Sequence, residues 1–350
     1  MELYNKYDKE YLRKKLDEET FHRVTLSFYK YVNIPDPSDF RNQLFMDLSK
    51  LGVFGRIYVA KEGINGQISV PEYSMDSFRE YLETYESFKN LRLNIAIEDD
   101  GKSFYKLIIK ARHKIVADGL DDDAFDTSNV GTHLSAEEFN KAMEEPGTII
   151  VDMRNHYESE IGHFENAICP DADTFKQELP MVIDMLADKK DEKILLYCTG
   201  GIRCEKASAY FKYKGFTNVN QLQGGIIHYA RQIKAQGLPS KFIGKNFVFD
   251  DRLGERIGNE IISTCHQCGK PADTHINCAN YECHLLFIQC EDCKKEMEGC
   301  CSKRCQGIIH LPIEEQRKIR KGIVKENTQA IYKSRLRPDL SLALRKNTEE

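Results

Sequence analysis

Apolar and polar positions repeat with two periods along the chain, and these periods predict where its strands and helices lie. Four segments are rich in β-branched and aromatic residues, as is typical of strands: 24–32, 53–60, 67–70 and 91–97. Two segments have helical spacing: 40–51 and 74–88. The order β-α-β-β-α-β predicts a ferredoxin-like α+β domain over residues 1–117. Residues 61–66 are expected to form a turn, and 104–110 and 114–116 to form further strands.

Strands and helices alternate in the middle of the chain, beyond an acidic, glycine-containing linker at 118–132. Ser135 and Glu138 have the spacing of a capping box that opens a helix. Short apolar runs predict buried strands at 148–152, 194–197 and 219–222. The alternation predicts a doubly wound parallel sheet over residues 133–240, and ligand sites in such sheets lie beyond the carboxyl ends of the strands.

One of these strand ends carries the candidate chemistry. Cys198 follows the strand, and the loop continues as Thr199, Gly200, Gly201, Ile202 and Arg203 before a helix begins. Loop N–H groups and the helix dipole stabilise a thiolate, and Arg203 adds a cation, so Cys198 is the candidate nucleophile and Arg203 its charge partner. A structural cysteine at a buried strand end is the alternative, but it does not explain the glycines or Arg203. Cys204 is either a second, resolving thiol or a small residue on the helix face.

Composition limits the class of protein. The chain has 350 residues, enough for two or three domains, with 41% hydrophobic residues and a net charge of −5, so bulk charge does not announce a nucleic-acid partner. There is no apolar run long enough to span a membrane, and the start lacks the apolar core of a signal peptide. We therefore expect a cytoplasmic protein with reduced cysteines. The sequence has no flavin, haem or nicotinamide motif and points to no protein partner.

Nine of the 12 cysteines lie between residues 265 and 305, which marks a separate module over 241–310. Two Cys-x-x-Cys pairs have zinc-ribbon spacing: Cys265 with Cys268, and Cys290 with Cys293. A second, interleaved site can be drawn from Cys278, Cys283, Cys300, Cys301 and Cys305, with His275 or His284 as alternates. We take that second set as Cys278, Cys283, Cys300 and Cys305. Thiols without metal and an iron–sulfur cluster are the alternatives to structural zinc.

Two regions are candidate RNA contacts. In the first domain, Arg56 lies on a strand and Lys61 and Asn65 in the predicted turn, so basic, polar and aromatic groups interleave as stacking on a base would require. A hairpin turn beside solvated strand faces explains the same residues. Residues 311–350 hold ten Lys or Arg against six Asp or Glu. This basic tail either contacts RNA or is simply solvated.

Residues 133–240 resemble a rhodanese domain in Asp152-Met-Arg154, in the residues from 160 to 163, in Gly224-Gly225 and in the six-residue loop, a length that rhodaneses use to hold a persulfide. The order of all parts, with 27–31 and 61–65 in the first domain, is similar to the rhodanese-domain tRNA uridine hydroxylase family. That resemblance implies hydroxylation of the wobble uridine (position 34), in the tRNA anticodon loop, at C5, with molecular oxygen as co-substrate.

The resemblance leaves open how Cys198 would act. Its thiolate either adds to C6 of the uracil, so that C5 becomes nucleophilic, or carries a sulfur-bound oxygen species. In both cases loop N–H groups and Arg203 would stabilise negative charge. Two other functions remain: a persulfide sulfurtransferase, for example in tRNA thiolation, and a non-catalytic RNA-binding adaptor. The intact loop argues against the adaptor.

Overall fold

The computed structural model describes residues 6–121 and 124–322. Its helices are α1 (Lys9–Asp17), α2 (Pro37–Lys50), α3 (Met75–Glu83), α4 (Ala136–Met143), α5 (His156–Ser159), α6 (Phe175–Met185), α7 (Ile202–Tyr213), α8 (Gly225–Gln236), α9 (Glu291–Glu296), α10 (Lys303–Ile309) and α11 (Ile313–Gly322). Its strands are β1 (Arg23–Tyr31), β2 (Phe54–Ala60), β3 (Gly63–Pro71), β4 (Asn94–Ile95), β5 (Leu107–Ala111), β6 (Thr132–Leu134), β7 (Ile149–Asp152), β8 (Gly162–Phe164), β9 (Lys193–Tyr197), β10 (Asn218–Leu222), β11 (Phe242–Asn246), β12 (Glu255–Arg256), β13 (His275–Asn277) and β14 (Leu286–Ile288). The predicted basic tail, 311–350, includes α11, and most of it lies outside the described residues.

The first domain is a five-stranded sheet in the order β4-β1-β3-β2-β5. Its first four strands pair antiparallel, and β5 adds to β2 in parallel, so the predicted ferredoxin-like sheet is confirmed with one further strand. Side chains alternate across each strand: Leu26 and Phe28 of β1 are in the core with α2 and α3, while Ser27 and Tyr29 are on the opposite face. That opposite face is turned toward the middle domain.

The predicted turn at 61–66 is wrong for most of its length, because β3 already begins at Gly63. Glycine is needed here for close approach between strands rather than for a turn: a Cβ on Gly63 would lie 2.0 Å from the Lys30 carbonyl oxygen. A Cβ on Gly66 would likewise collide with the Phe28 ring. The predicted strand at 114–116 is also wrong. Its backbone is held by a side chain instead, since the Ile115 N–H donates to Glu62 Oε1 at 2.7 Å.

The middle domain has the predicted doubly wound architecture. Its parallel sheet has the order β6-β10-β9-β7, with α4 and α8 on one face and α6 and α7 on the other. The capping box of Ser135 and Glu138 opens α4 as expected. Helix α7 begins at Ile202, two residues earlier than the pattern indicated, so Arg203 and Cys204 lie in its first turn.

The Cys-rich region joins the middle domain through a small sheet in the order β12-β11-β8. The hairpin β13-β14 and helices α9 and α10 follow, with a small core of cysteines around Phe287. Among the helices of the described ranges, none combines the length and the apolar character that crossing a lipid bilayer would require.

Candidate active site

Cys198 lies at the end of β9 and is buried at the base of its loop. Its Sγ accepts a hydrogen bond from the Gly201 N–H at 3.2 Å. Gly201 has a φ of 98°, a left-handed conformation that favours glycine. Gly225 packs directly against the loop backbone. No side chain fits at this position, because a Cβ would lie 2.5 Å from the Cys198 carbonyl oxygen. The glycines therefore shape a loop that points N–H groups at one sulfur atom.

The loop stabilises the thiolate form of Cys198. Burial raises the pKa of this thiol, but hydrogen bonds from the Cys204 side chain and from the N–H groups of Cys204 and Arg203, with the Arg203 charge, outweigh it and lower the pKa to about 6. The pKa of Cys204 is raised well above its usual range by burial and by its bond to Cys198. At neutral pH, Cys198 is therefore a thiolate and Cys204 a neutral thiol that donates to it.

Arg203 is held by a buried carboxylate. Its two terminal nitrogens donate to Glu158 Oε1 and Oε2 at 2.6 and 2.8 Å. Burial raises the pKa of Glu158, but the Arg203 charge outweighs it and keeps that pKa below its usual range. Thr199 Oγ1 also lies 3.4 Å from Arg203. Sequence reasoning did not select Glu158, although its spacing from Asn155 is that of a capping box.

A cavity of about 430 Å³ opens beside Cys198, and three parts of the chain line it. One wall is the open face of the first sheet, where two cross-strand rows face the loop: Ser27, Gln67 and Arg56 in one, Tyr29, Asn65 and Tyr58 in the other. Two of the predicted RNA contacts, Arg56 and Asn65, thus share the cavity with Cys198, Thr199, Gly200, Ile202 and Arg203. The third, Lys61, lies in the β2–β3 turn and does not line the cavity.

Direct contacts fix the first sheet against the loop. The Tyr29 hydroxyl donates to Glu205 Oε1 at 3.0 Å, and the Tyr31 hydroxyl donates to the Ile202 carbonyl at 3.3 Å. Asn94 Nδ2 lies 3.5 Å from the Gly200 carbonyl oxygen. Because these bonds cross between domains, the cavity has a defined width rather than being an open gap.

The third wall comes from the segment after β11, with Val248, Phe249 and Arg252 in the lining. The Cys-rich region also contacts the helix that carries Glu158. His266 Nε2 lies 2.9 Å from Glu160 Oε1, and Glu160 follows directly after α5. The segment after β11 and the Cys-rich region therefore support both the cavity and the carboxylate that holds Arg203.

Eight of the cysteines form two compact groups in which all sulfur atoms lie within 4.8 Å of one another. The first group is the predicted one: Cys265, Cys268, Cys290 and Cys293. The second differs from the expected set by one residue, since Cys301 takes the place that we gave to Cys300: Cys278, Cys283, Cys301 and Cys305. Cys301 Sγ lies 3.5 and 3.7 Å from the sulfur atoms of Cys283 and Cys305, whereas Cys300 is a fully buried neighbour outside the group.

Both groups suit zinc. Four thiolates at about 2.3 Å from a tetrahedral zinc ion lie about 3.8 Å from one another. The sulfur–sulfur contacts of 3.5, 3.6 and 3.7 Å in the two groups are close to that value. The cysteines of the two groups alternate along the chain. A zinc ion bound in either group would therefore join two segments, with a segment of the other group lying between them in sequence.

Three family models match successive parts of the chain: the UPF0176 acylphosphatase like domain over residues 23–115, the rhodanese-like domain over 135–232 and the rhodanase C-terminal region over 243–306. The tRNA uridine(34) hydroxylase of Leptospira interrogans is 58% identical over 339 residues, which are 97% of this chain and 92% of that protein. The proteins of the same name from Pectobacterium atrosepticum and Photorhabdus laumondii are 55% and 54% identical, over 94% and 96% of this chain and 93% and 95% of their own. A crystal structure of the Alr3790 protein from Anabaena covers 32% of this chain and 91% of its own, with 23% identity and a TM-score of 0.26.

Proposed function

Because the chain belongs to the tRNA uridine(34) hydroxylase family, we propose that it hydroxylates uridine 34 of tRNA at C5, with Cys198 as the essential thiolate. The observation that carries the chemical part of the proposal is the lowered pKa of Cys198, about 6, at the base of a cavity that can hold a nucleobase. The anticodon loop is single-stranded, so its base can turn into such a cavity at modest cost. Reduced cysteines, all 12 of them free, fit a reaction in the cytoplasm.

The thiolate supplies what the uracil ring lacks. Addition of Cys198 Sγ to C6 makes C5 enolate-like, and C5 can then bond to an electrophilic oxygen. The loop N–H groups and Arg203 stabilise the negative charge that develops beside them. Loss of the C5 proton and departure of Cys198 from C6 restore the aromatic ring and the thiolate.

Molecular oxygen is the co-substrate in this proposal. One oxygen atom enters the C5–H bond and the other leaves as water, which takes two electrons and two protons. Two thiols that become one disulfide supply both, so uridine, O₂ and two thiols give 5-hydroxyuridine, water and a disulfide. The Cys198→Ser variant tests the role of the thiolate: tRNA from cells that carry only this variant should lack 5-hydroxyuridine in nucleoside mass spectrometry. Normal amounts of the modified nucleoside would disprove the role.

The first sheet is the RNA-facing wall in this proposal. Arg56 presents an exposed guanidinium at the rim of the cavity, and Tyr58 offers a ring beside it. Asn65 is held in place, because its amide Nδ2 donates to the Ile115 carbonyl at 3.3 Å. A guanidinium can neutralise an anticodon phosphate or contact a base, and a tyrosine ring can stack on a base.

We also propose that the two cysteine groups hold structural zinc. Zinc bound there would fix the loop that carries His266, and through Glu160 it would stabilise α5. Neither group lines the cavity beside Cys198, so zinc has no part in the proposed reaction.

A persulfide sulfurtransferase is the second candidate, because the loop matches the rhodanese-like family and its N–H groups could hold a terminal sulfur. The size of the cavity and the basic, amide and aromatic side chains on its wall favour a nucleobase over a small sulfur acceptor. Alkylation and mass spectrometry of the peptide with Cys198 separate the two functions. A mass increase of one sulfur that is lost on incubation with tRNA, with thiolated nucleoside as product, would favour sulfur transfer.

A further inference from the structure

The polar side chains on the cavity wall differ in whether they have a partner. Tyr29 is bonded to Glu205, Asn94 to Gly200, and Asn65 to Ile115, so these three hold the wall together. The Gln67 amide and the Arg56 guanidinium, both in the cavity lining, make no hydrogen bond or salt bridge among residues 6–121 and 124–322. Asn94 Oδ1, on the same wall, is buried and has no hydrogen-bond partner either. Buried polar groups are normally paired, so this wall offers unpaired polar groups to a ligand.

These two free groups are neighbours. Gln67 lies on the central strand β3, and its cross-strand partner on β2 is Arg56, so the two side chains rise from adjacent points of one row. On the other side of Gln67 the row continues with Ser27, which faces the loop: a Cβ on Gly200 would lie 4.0 Å from Ser27 Oγ. Gln67 lies on the neighbouring strand, about 4.8 Å across the sheet from Ser27.

Resting on the proposed function, we infer that Gln67 and Arg56 read the N3–O4 edge of the target uracil. That edge lies across the ring from C6, the atom that the thiolate approaches. The Gln67 amide oxygen accepts the N3–H, and its NH₂ group or the Arg56 guanidinium donates to the O4 carbonyl oxygen. Gln67 is thus a specificity-determining residue for the hydroxylation.

Gln67 and Arg56 together explain discrimination between uracil and cytosine better than the Gln67 amide alone. A free amide can turn over and match cytosine, which has an acceptor at N3 and an amino group at C4. Arg56 removes this ambiguity because a guanidinium has donors only: it donates to a carbonyl oxygen at C4 but offers no acceptor to an amino group there. A site that hydrogen-bonds a polar edge rejects an analogue that leaves its groups unpaired.

The test uses the full-length protein and synthetic anticodon stem-loops that carry uridine or 3-methyluridine at position 34. The wild type should hydroxylate the uridine substrate with a kcat/KM roughly tenfold to a hundredfold above that for 3-methyluridine, which lacks the N3–H. In the Gln67→Ala variant, kcat/KM for uridine should fall by a similar factor, and the ratio between the two substrates should fall toward one. The ratio does not depend on how much of the variant is folded, since both substrates are measured on the same sample.

The control is Gln236→Ala, at an exposed position at the end of α8, which should keep the wild-type ratio. An unchanged ratio in Gln67→Ala, or a wild type that uses both substrates equally, would overturn the inference while leaving the hydroxylase function intact. No hydroxylation of the uridine stem-loop or of whole tRNA by the wild type would instead refute the proposed function itself.

Discussion

Removing the charge of Arg203 should return Cys198 toward an ordinary thiol. The cleanest perturbation is the double variant Arg203→Gln/Glu158→Gln, because changing Arg203 alone would leave Glu158 buried with an uncompensated charge, at a cost of about 3–5 kcal/mol. Two amides can keep hydrogen bonds in the same place. The double variant thus separates the charge of Arg203 from its packing.

The size of the effect follows from the pKa values. A decrease from about 8.5 for a free cysteine to about 6 for Cys198 corresponds to about 3 kcal/mol in favour of the thiolate. A nearby opposite charge lowers a pKa by about 1–3 units, and Arg203 shares its charge with Glu158, so we assign it about 1–2 units. The variant should therefore titrate at about 7–8, and its thiolate fraction at pH 7 should fall from about nine-tenths to between about a half and a tenth.

The assay is alkylation of Cys198 by iodoacetamide as a function of pH, followed by peptide mass spectrometry. Trypsin cleavage after Lys193 and Arg203 yields a wild-type peptide in which Cys198 is the sole cysteine, and fragment ions distinguish Cys198 from Cys204 in the longer peptide of the variant. The rate should rise with pH through the pKa, with its midpoint at about 6 in the wild type. As a control, the remote pair Arg23 and Glu19 has the same bidentate chemistry, and its double Gln variant should keep that midpoint. A midpoint of about 6 in the Arg203 variant would refute the assigned role of the charge.

Three further predictions concern the wall, the metal groups and the loop support. Arg56→Ala should raise the KM for tRNA severalfold and more than Lys61→Ala does, because only Arg56 lines the cavity, and equal effects would argue against this wall. Metal analysis should find about two zinc ions per chain in the wild type and in Cys300→Ser, but about one in Cys301→Ser. Loss of zinc from Cys300→Ser and not from Cys301→Ser would contradict the grouping. Gly225→Ala should lower the free energy of unfolding in urea by about 2–3 kcal/mol and reduce activity. Gly237 has a similar φ, but a Cβ there would have no atom within 4 Å, so Gly237→Ala should lower it by about 1 kcal/mol. Equal decreases would contradict the role of Gly225 in supporting the loop.

Local features of the site could be predicted from the sequence because they are encoded by consecutive residues. The strand, the cysteine, the glycines and Arg203 follow one another, and the N–H groups that stabilise the thiolate belong to the same loop. The two Cys-x-x-Cys pairs could be predicted for the same reason. The spacing of the cysteines does not distinguish Cys300 from Cys301 as a ligand, however, because that depends on which sulfur faces Cys283 after folding.

Features that depend on tertiary contacts could not be predicted from the sequence. Gly63 and Gly66 look like turn residues, yet they lie in a strand because neighbouring backbone and the Phe28 ring leave no room for a side chain. Glu158 is 45 residues from Arg203, and Gln67 is far in sequence from Cys198. Only the packing of the first sheet onto the loop places Gln67 in the cavity, and no periodicity records that packing.

The division of the cavity among three parts of the chain has a consequence for synthesis on the ribosome. The groups that activate Cys198 all lie between Glu158 and Cys204, so the thiolate can form as soon as the middle domain folds. The wall with Val248 and Arg252 emerges later. A nascent or prematurely ended chain would therefore carry an activated thiolate before the third wall of its cavity is in place.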